Sequence, residues 1–406
     1  MSNGSGDWPV PERAPLRIAF TNIPRRLWAG GHNYQRNLFE VLNRHSPGTV
    51  TPVLFAGTAD DPEEIAGLAG IPGVEVVRSP VFDHAATGLA RTTDLARAIV
   101  FGVDAPAAAE FKAGRIDMVF ESARFFGWRL PFPAVAWFPD FQHRLLPHLF
   151  SRSAFWRRDL GFRAQIASGR HIMLSSASAL GDLKRFYPGH ANGVSVVRFA
   201  TEPPVGLLAA KPFDVIAHYG LPPRYFYLPN QFWRHKNHQL VIDALDLLKA
   251  RGHDVVVAAS GNTKDFRESG LFESTMSQVR SRGLEMNFRH LGMIPLDHVY
   301  ALLRASTALI NPSECEGWST TVEEAKSFGV PMILSDLDVH HEQTEGSARY
   351  FGIRDAEALA DQMLQVAQTA GPPTVRDLLP NLEQRVETFV ADFVRLTRDV
   401  MVSRSG

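Results

Sequence analysis

The 406-residue sequence contains one cysteine, Cys315, so no disulfide forms within the chain, and the usage fits a reducing compartment. No apolar run approaches the roughly 20 residues that a membrane-spanning helix needs. The opening MSNGSGDWPVPERAP lacks the apolar core of a secretory signal and reads as a short disordered lead-in. Neither sign of charge is in excess: the net charge is −1, whereas a general nucleic-acid binder needs surplus cations to displace counterions. The G-x-G-x-x-G fingerprint is missing, which weighs against a nicotinamide-dependent oxidoreductase. What remains is a soluble, cytoplasmic protein whose membrane contact is at most peripheral, at the inner face. Hydrophobic residues make up 45% and charged residues 21%, proportions that support a packed core rather than disorder.

A chain of this length exceeds one ordinary core, and its pattern divides in two. In the first half, short strand-like runs lie at Arg17-Ile18-Ala19-Phe20, 50–58, 74–79, 116–120, 134–138, 171–176 and 194–199, with helical patterns after several of them. Residues 200–213, with two adjacent prolines and no clear period, read as a linker. Six further strand-like runs follow (YFYLPN, HDVVVAASG, NFRHLG, TALINPS, VPMILSD, ARYFG), with helical stretches at 237–250, 271–283, 296–304 and 320–329. Alternating strand and helix imply parallel sheets covered by helices on both faces. The fold class is therefore α/β, with two doubly wound, Rossmann-like domains facing a central cleft. The boundaries are 1–205 for the first domain and 206–380 for the second. A helix follows at 381–406; its apolar stripe includes Leu382, Val386, Phe389 and Phe393.

The densest chemistry lies in NPSECEGWSTTVEEAKSFGVPMILSD, residues 311–336. A buried strand ends in a tight loop with Pro312 and Gly317. A helix then starts near Ser319 or Thr320 and closes at Gly329 before the next strand. Glu316 falls in the loop and Glu324 in the second helical turn, and the N–H groups at the helix start suit a diphosphate. The Glu-x7-Glu spacing in this context resembles the signature of retaining GT-B glycosyltransferases of family 4. The resemblance implies that Glu316 holds hydroxyls of the donor sugar and Glu324 the ribose. It also implies that 1–205 is the acceptor-side domain and 206–380 the donor domain, and that the helix at 381–406 crosses back to the first domain. Trp318, Ser319 and Thr320 would present backbone N–H groups to sugar and phosphate. Carboxylates are bidentate acceptors suited to vicinal diols.

The run Leu228-Pro-Asn-Gln-Phe-Trp-Arg-His-Lys-Asn-His238 carries a second part of the resemblance. Lys236 matches a diphosphate-binding lysine, while Gln231 stands where the family usually has an arginine; Arg234 or another basic residue is left to compensate. As a loop residue, Lys236 is expected to contribute little to the core. In Arg289-His-Leu-Gly-Met-Ile-Pro295, the backbone of Met293 and Ile294 would read the base, which leaves UDP, GDP and dTDP open. In the first half, Gly30-Gly31 would approach the donor phosphate and the acceptor. Where relatives often carry a His-Asp pair, this sequence has Pro139-Asp140, so Asp140 and His143 are the candidates for a catalytic role beside Glu316 and Lys236.

The expected activity is transfer of a sugar, with retention, from a nucleotide-sugar to a hydroxyl of a carbohydrate or lipid-linked acceptor in polysaccharide or glycoconjugate synthesis. The front-face route that the resemblance implies lets the departing phosphate help deprotonate the acceptor. A GT-B-fold sugar-nucleotide epimerase and a catalytically silent sugar-binding protein are the alternatives. Asp336-Leu337-Asp338 resembles a metal-binding D-x-D triplet, but its place after a strand reads as a turn, so neither a metal nor another cofactor is expected. Residues 144–170 carry six arginines (Arg144, Arg152, Arg157, Arg158, Arg163, Arg170) against Asp159, interleaved with aromatics. That stretch suits either an anionic membrane surface or a solvated face over core aromatics.

Overall fold

The computed structural model describes residues 14–83, 88–122, 124–265 and 267–402. The lead-in read at the N-terminus lies almost wholly outside the described residues. The chain forms two compact units, one made of 1–136 with 390–406 and the other of 137–389.

Thirteen strands are described, and all of the strand-like runs read from the sequence contain one. They are β1 Leu16–Thr21, β2 Val50–Ala56, β3 Glu75–Arg78, β4 Met118–Glu121, β5 Ala134–Phe138, β6 His171–Leu174, β7 Val194–Val196, β8 Phe226–Leu228, β9 Val257–Ala259, β10 Phe288–His290, β11 Ala308–Asn311, β12 Met332–Ser335 and β13 Arg349–Phe351. They build a seven-stranded sheet, β3-β2-β1-β4-β5-β6-β7, and a six-stranded sheet, β10-β9-β8-β11-β12-β13. The pairings are parallel, as β1 with β2 and β4, and β8 with β9 and β11, illustrate. Each sheet reverses its order once, beside β1 and beside β8, which is the doubly wound pattern of Rossmann-like domains.

The period of two within a strand explains how one short sequence feeds two cores. Around β8, Phe226 and Leu228 enter an apolar cluster with Leu240, Val241 and Leu245 from the helix His238–Ala250 and Leu359 and Met363 from the helix Ala356–Thr369. Tyr225 and Tyr227 enter the opposite cluster, with Leu302 from the helix Leu296–Ala305 and Val322 from Thr320–Ser327. In the first unit, Ala19, Val53, Phe55, Phe111 and Val119 pack on one face of the sheet. Phe20 and Phe120 pack together with Phe393 of the helix Leu382–Val402.

Candidate functional site

The second sheet changes winding direction between β8 and β11, and open α/β sheets bind ligands outside the carboxyl ends of their strands at that point. Lys236 lies on the segment leaving β8, and Glu316 on the segment leaving β11. Four strand ends meet there. Gly261, after β9, has φ 145, and a Cβ on it would lie 2.6 Å from the Asn230 carbonyl oxygen, so the backbone after β8 closes onto it. The Gly261 N–H donates to the Gly292 carbonyl at 3.0 Å, which joins the end of β10 to the group.

Local rules shape the Glu316 loop. Asn311, fully buried at the end of β11, accepts the Ser313 N–H on Oδ1 at 3.2 Å and so turns the chain. The Glu314 N–H donates to the His235 carbonyl at 2.8 Å. A Cβ at Gly317 would sit 1.7 Å from the Pro139 carbonyl oxygen, so only glycine lets the chain after β5 come this close. Trp318 is fixed by its indole N–H, which donates to the Phe199 carbonyl at 2.9 Å. The helix Thr320–Ser327 follows, starting where the sequence pattern places it, with Ser319 in the N-cap position.

Lys236 and Glu316 meet directly. Lys236 closes the turn Arg234–Lys236; Asn237 follows in the left-handed region at φ 52, a conformation asparagine tolerates. Lys236 Nζ lies 2.5 Å from Glu316 Oε1, with the two side chains only 15% and 10% exposed. The lysine is thus drawn inward by a carboxylate 80 residues away. Ser313 Oγ also reaches Glu316 Oε1, at 2.7 Å, and its one proton is shared between that oxygen and Asn311 Oδ1 at 2.6 Å. Burial pushes the Glu316 carboxyl up, but the charge and hydrogen bond of Lys236 outweigh it and hold it at about 2. These contacts fall on Oε1, so Oε2 is left to accept from a ligand.

Two neutral histidines complete the surroundings. His340 is fully buried and donates from Nδ1 to the Ser335 carbonyl at 2.8 Å, which leaves Nε2 without a partner among the described residues. Burial lowers its basicity, against the pull of Glu316. His235 is also buried, and burial together with the Lys236 charge lowers it well below the usual imidazole range.

Glu324 is half-buried on the second turn of its helix. Burial raises its carboxyl to about 7, and a hydrogen bond with Tyr300 opposes the rise. The neighbouring Glu323 is buried and committed to protein partners, among them Arg385. Gln231, where an arginine was expected, keeps its Oε1 buried without a partner among the described residues. Met293 is 64% exposed and Ile294 half-buried, just after Gly292 at the end of β10. The backbones of Trp318 and Thr320 lie at the helix start, but the Ser319 N–H is already held by Gln343 Oε1 at 3.1 Å.

Gly30 and Gly31 belong to the first unit, in the opening turn of the helix Ala29–His45. A Cβ at Gly31 would fall 2.2 Å from the Trp28 ring, so the glycine accommodates that indole. Asp140 borders the Glu316 loop: a Cβ on Gly317 would lie 3.2 Å from the Asp140 Cβ. Its carboxylate accepts the Gln142 N–H at 2.8 Å and pairs with Arg158 at 2.7 Å. His143 is fully buried in van der Waals surroundings that include Phe155 and Phe162, with Nε2 3.2 Å from the Tyr187 hydroxyl. Burial drives it down to about 4. Neither residue hydrogen-bonds to Lys236 or Glu316. Arg234 is exposed and pairs with Glu268 at 2.9 Å. Much of the basic stretch is used internally: Arg144 and Arg163 both bond to the buried Asp159, and Arg158 to Asp140. Asp336 is exposed and pairs with His341 at 2.6 Å, and Asp338 begins the helix Asp338–Thr344.

Sequence reasoning missed Ser313, His340, Gln343 and Arg267. The Arg267 guanidinium bonds to Gln142 Oε1 at 2.9 Å and to His235 Nδ1 at 3.2 Å. Each of these residues acts through a partner distant in sequence or through a buried atom, and no local pattern marks it.

Residues 219–373, which contain the strand ends just described, match the model of the family Glycosyl transferases group 1. No curated protein matches the chain. Among solved structures, the chain is similar to a glycosyltransferase from Rickettsia africae ESF-5, with 14% identity and a TM-score of 0.65 over 96% of this chain and 98% of that one. It is similar to HepE of Anabaena in complex with UDP and glucose, with 14% identity and a TM-score of 0.63 over 97% and 100% of the two chains. It is also similar to sucrose-phosphate synthase from Thermosynechococcus elongatus, with 15% identity and a TM-score of 0.65 over 96% and 97%. The chain thus has the two Rossmann-like domains of the GT-B fold, and over residues 219–373 it is similar to the glycosyl transferases group 1.

Proposed function

We propose that the protein transfers a sugar from a nucleotide-sugar to a hydroxyl acceptor, with retention of the anomeric configuration. The observation that carries this reading is the Lys236–Glu316 pair at the winding switch of the second sheet, with Glu324 on the second turn of the helix that follows. Glu316 is ionised and held by its Oε1, so Oε2 accepts hydroxyls of the donor sugar. Lys236 has three donors, of which Glu316 takes one, and the others meet the diphosphate. Glu324 accepts the ribose hydroxyls, and the backbone at Met293 and Ile294 reads the base. UDP is the first nucleotide to test, because HepE is similar in fold and its structure holds UDP.

In the proposed reaction, the bond from the anomeric carbon to the phosphate oxygen breaks. The acceptor oxygen bonds to that carbon on the same face, and its proton passes to the departing phosphate. The protein contributes positioning and fixed charge, effects that lower barriers without a covalent intermediate. Lys236 and the N–H groups at the helix start meet the phosphate charge, so no divalent metal is required. Acceptors are carbohydrates or lipid-linked saccharides of polysaccharide or glycoconjugate synthesis, handled in the cytoplasm or at the inner membrane face. No helix of the described residues is long and apolar enough to cross a membrane.

The test is incubation with labelled nucleotide-sugars and a panel of saccharide acceptors, with the product linkage read by NMR. An α-linked product from an α-linked donor supports the reading. A product of inverted configuration overturns retention, and isomerised donor without acceptor consumption identifies an epimerase.

A further inference from the structure

Glu316 and Glu324 lie on either side of Ser319, the residue just before their helix, and that peptide is gripped from outside. Gln343, fully buried on the helix Asp338–Thr344, accepts the Ser319 N–H on Oε1 at 3.1 Å. Its Nε2 donates back to the Ser319 carbonyl at 2.7 Å. One side-chain amide thus satisfies both polar groups of one residue, as a neighbouring strand would. Only asparagine and glutamine offer a donor and an acceptor side by side, and asparagine is one methylene shorter.

The second hydrogen of the same amide orients the clamp. Gln343 Nε2 also donates to Glu323 Oε1, at 3.1 Å. Glu323 is 2% exposed, and its other oxygen is bound by the guanidinium of Arg385, on the helix Leu382–Val402. Without Arg385 the buried Oε2 loses its donor, and the carboxylate turns toward the other cation beside it, Lys326, whose Nζ is 3.8 Å from Oε1. That rotation alters the acceptor that keeps the Gln343 amide pointing its nitrogen at Glu323 and its oxygen at the Ser319 N–H. The contacts run unbroken from Arg385 through Glu323 and Gln343 to Ser319.

We infer that Gln343 is a positioning residue that sets the Glu316–Thr320 turn for the donor, and that Arg385 on the C-terminal helix governs it through Glu323. The functional half of this inference rests on the proposed transferase reading; the structural half does not. None of the three side chains reaches the reacting atoms, so each acts through the turn.

The full-length protein is tested as Gln343→Met, which keeps the volume and removes both bonds to Ser319, and as Arg385→Met and Arg385→Lys. Amide hydrogen exchange is followed along the chain. Loss of two buried hydrogen bonds raises exchange at 316–322 by about tenfold or more in Gln343→Met. In Arg385→Met the same segment responds, with Arg385→Lys intermediate. The helix His238–Ala250 keeps its wild-type exchange in all three. With a donor that the wild type uses, kcat falls by about tenfold or more while affinity for the free nucleoside, which reaches only the base and ribose sites, stays within about threefold, because the turn and not the base site is displaced. Unchanged exchange at 316–322 in Gln343→Met overturns the clamp. Exchange raised equally across the second sheet also overturns it, since that marks general loss of stability. An effect in Gln343→Met that Arg385→Met lacks overturns the link to the C-terminal helix. A wild type that uses no nucleotide-sugar overturns the transferase reading alone, and the exchange data still decide the clamp.

Discussion

Replacing Lys236 by methionine keeps most of the side-chain volume and removes the cation that holds Glu316. The size of the effect follows from the carboxyl. Its value of about 2, against an ordinary 4.5, corresponds to about 3 kcal/mol of preference for the charged form in the folded state. That agrees with the roughly 3–5 kcal/mol lost when one partner of a buried ion pair is removed. A depressed carboxyl contributes stability that is fully present above its unfolded value, near 4.5, and is lost as the pH falls toward 2. The difference between wild type and Lys236→Met is therefore about 3 kcal/mol at pH 7 and about half of that near pH 3. Because two compact units need not unfold in one step, the suitable assay is native-state hydrogen exchange at the amides of β8 and β11. A difference under about 1 kcal/mol at pH 7 would refute the reasoning, because it would mean that the pair is screened like a surface contact. A difference that does not shrink in acid would show that lost packing, not charge, is responsible.

Gly317→Ala drives a methyl group into the Pro139 carbonyl, which must retreat by more than 1 Å from a separation of 1.7 Å. We expect a loss of about 1–3 kcal/mol in stability and of about 100-fold in kcat/KM, measured by thermal unfolding and steady-state kinetics. Wild-type kinetics would remove this close approach from the account. Glu324→Gln separates binding from stability. The Glu324 carboxyl is raised to about 7, so ionising it disfavours the folded state as the pH rises from about 4.5 through 7. The variant should then be at least as stable as wild type at pH 8 and yet bind nucleotide more weakly, by about 1.5–3 kcal/mol in calorimetry. Undiminished affinity contradicts the ribose role. Transfer activity should survive stripping with EDTA; activity lost on chelation and restored by magnesium or manganese would place Asp336 and Asp338 in the site.

Strands and helices were legible wherever apolar period and punctuation coincided. The 17–20 run became β1, and the pattern at 296–304 became the helix Leu296–Ala305. Glu316 and Glu324 were legible because their spacing is local and a glycine, a cap and a following proline frame it. The partnership of Lys236 with Glu316 was not, because it joins segments 80 residues apart, and a loop lysine reads as solvated until the carboxylate is placed. Gln343 carries no signal at all in the sequence, since a glutamine in a short helix gains meaning only from the Ser319 peptide opposite. The burial of His143 was equally illegible: its position after a strand end is local, whereas the aromatic rings that enclose it, Phe155 and Phe162, come from a later helix.

The central claim is that the carboxyl edge of the second sheet holds a nucleotide-sugar through Glu316, Lys236 and Glu324. The most direct test is thermal-shift titration of wild type, Glu316→Gln and Glu324→Gln with UDP-, GDP- and dTDP-sugars. A cognate donor at 100 times its dissociation constant stabilises the wild type by about 2.7 kcal/mol, enough to raise the transition by several degrees. One base class should give this shift; Glu324→Gln should lose it for both the donor and its free nucleotide, and Glu316→Gln should lose only the gain contributed by the sugar. A wild type that none of these donors stabilises, or variants that shift as far as the wild type does, would contradict the claim.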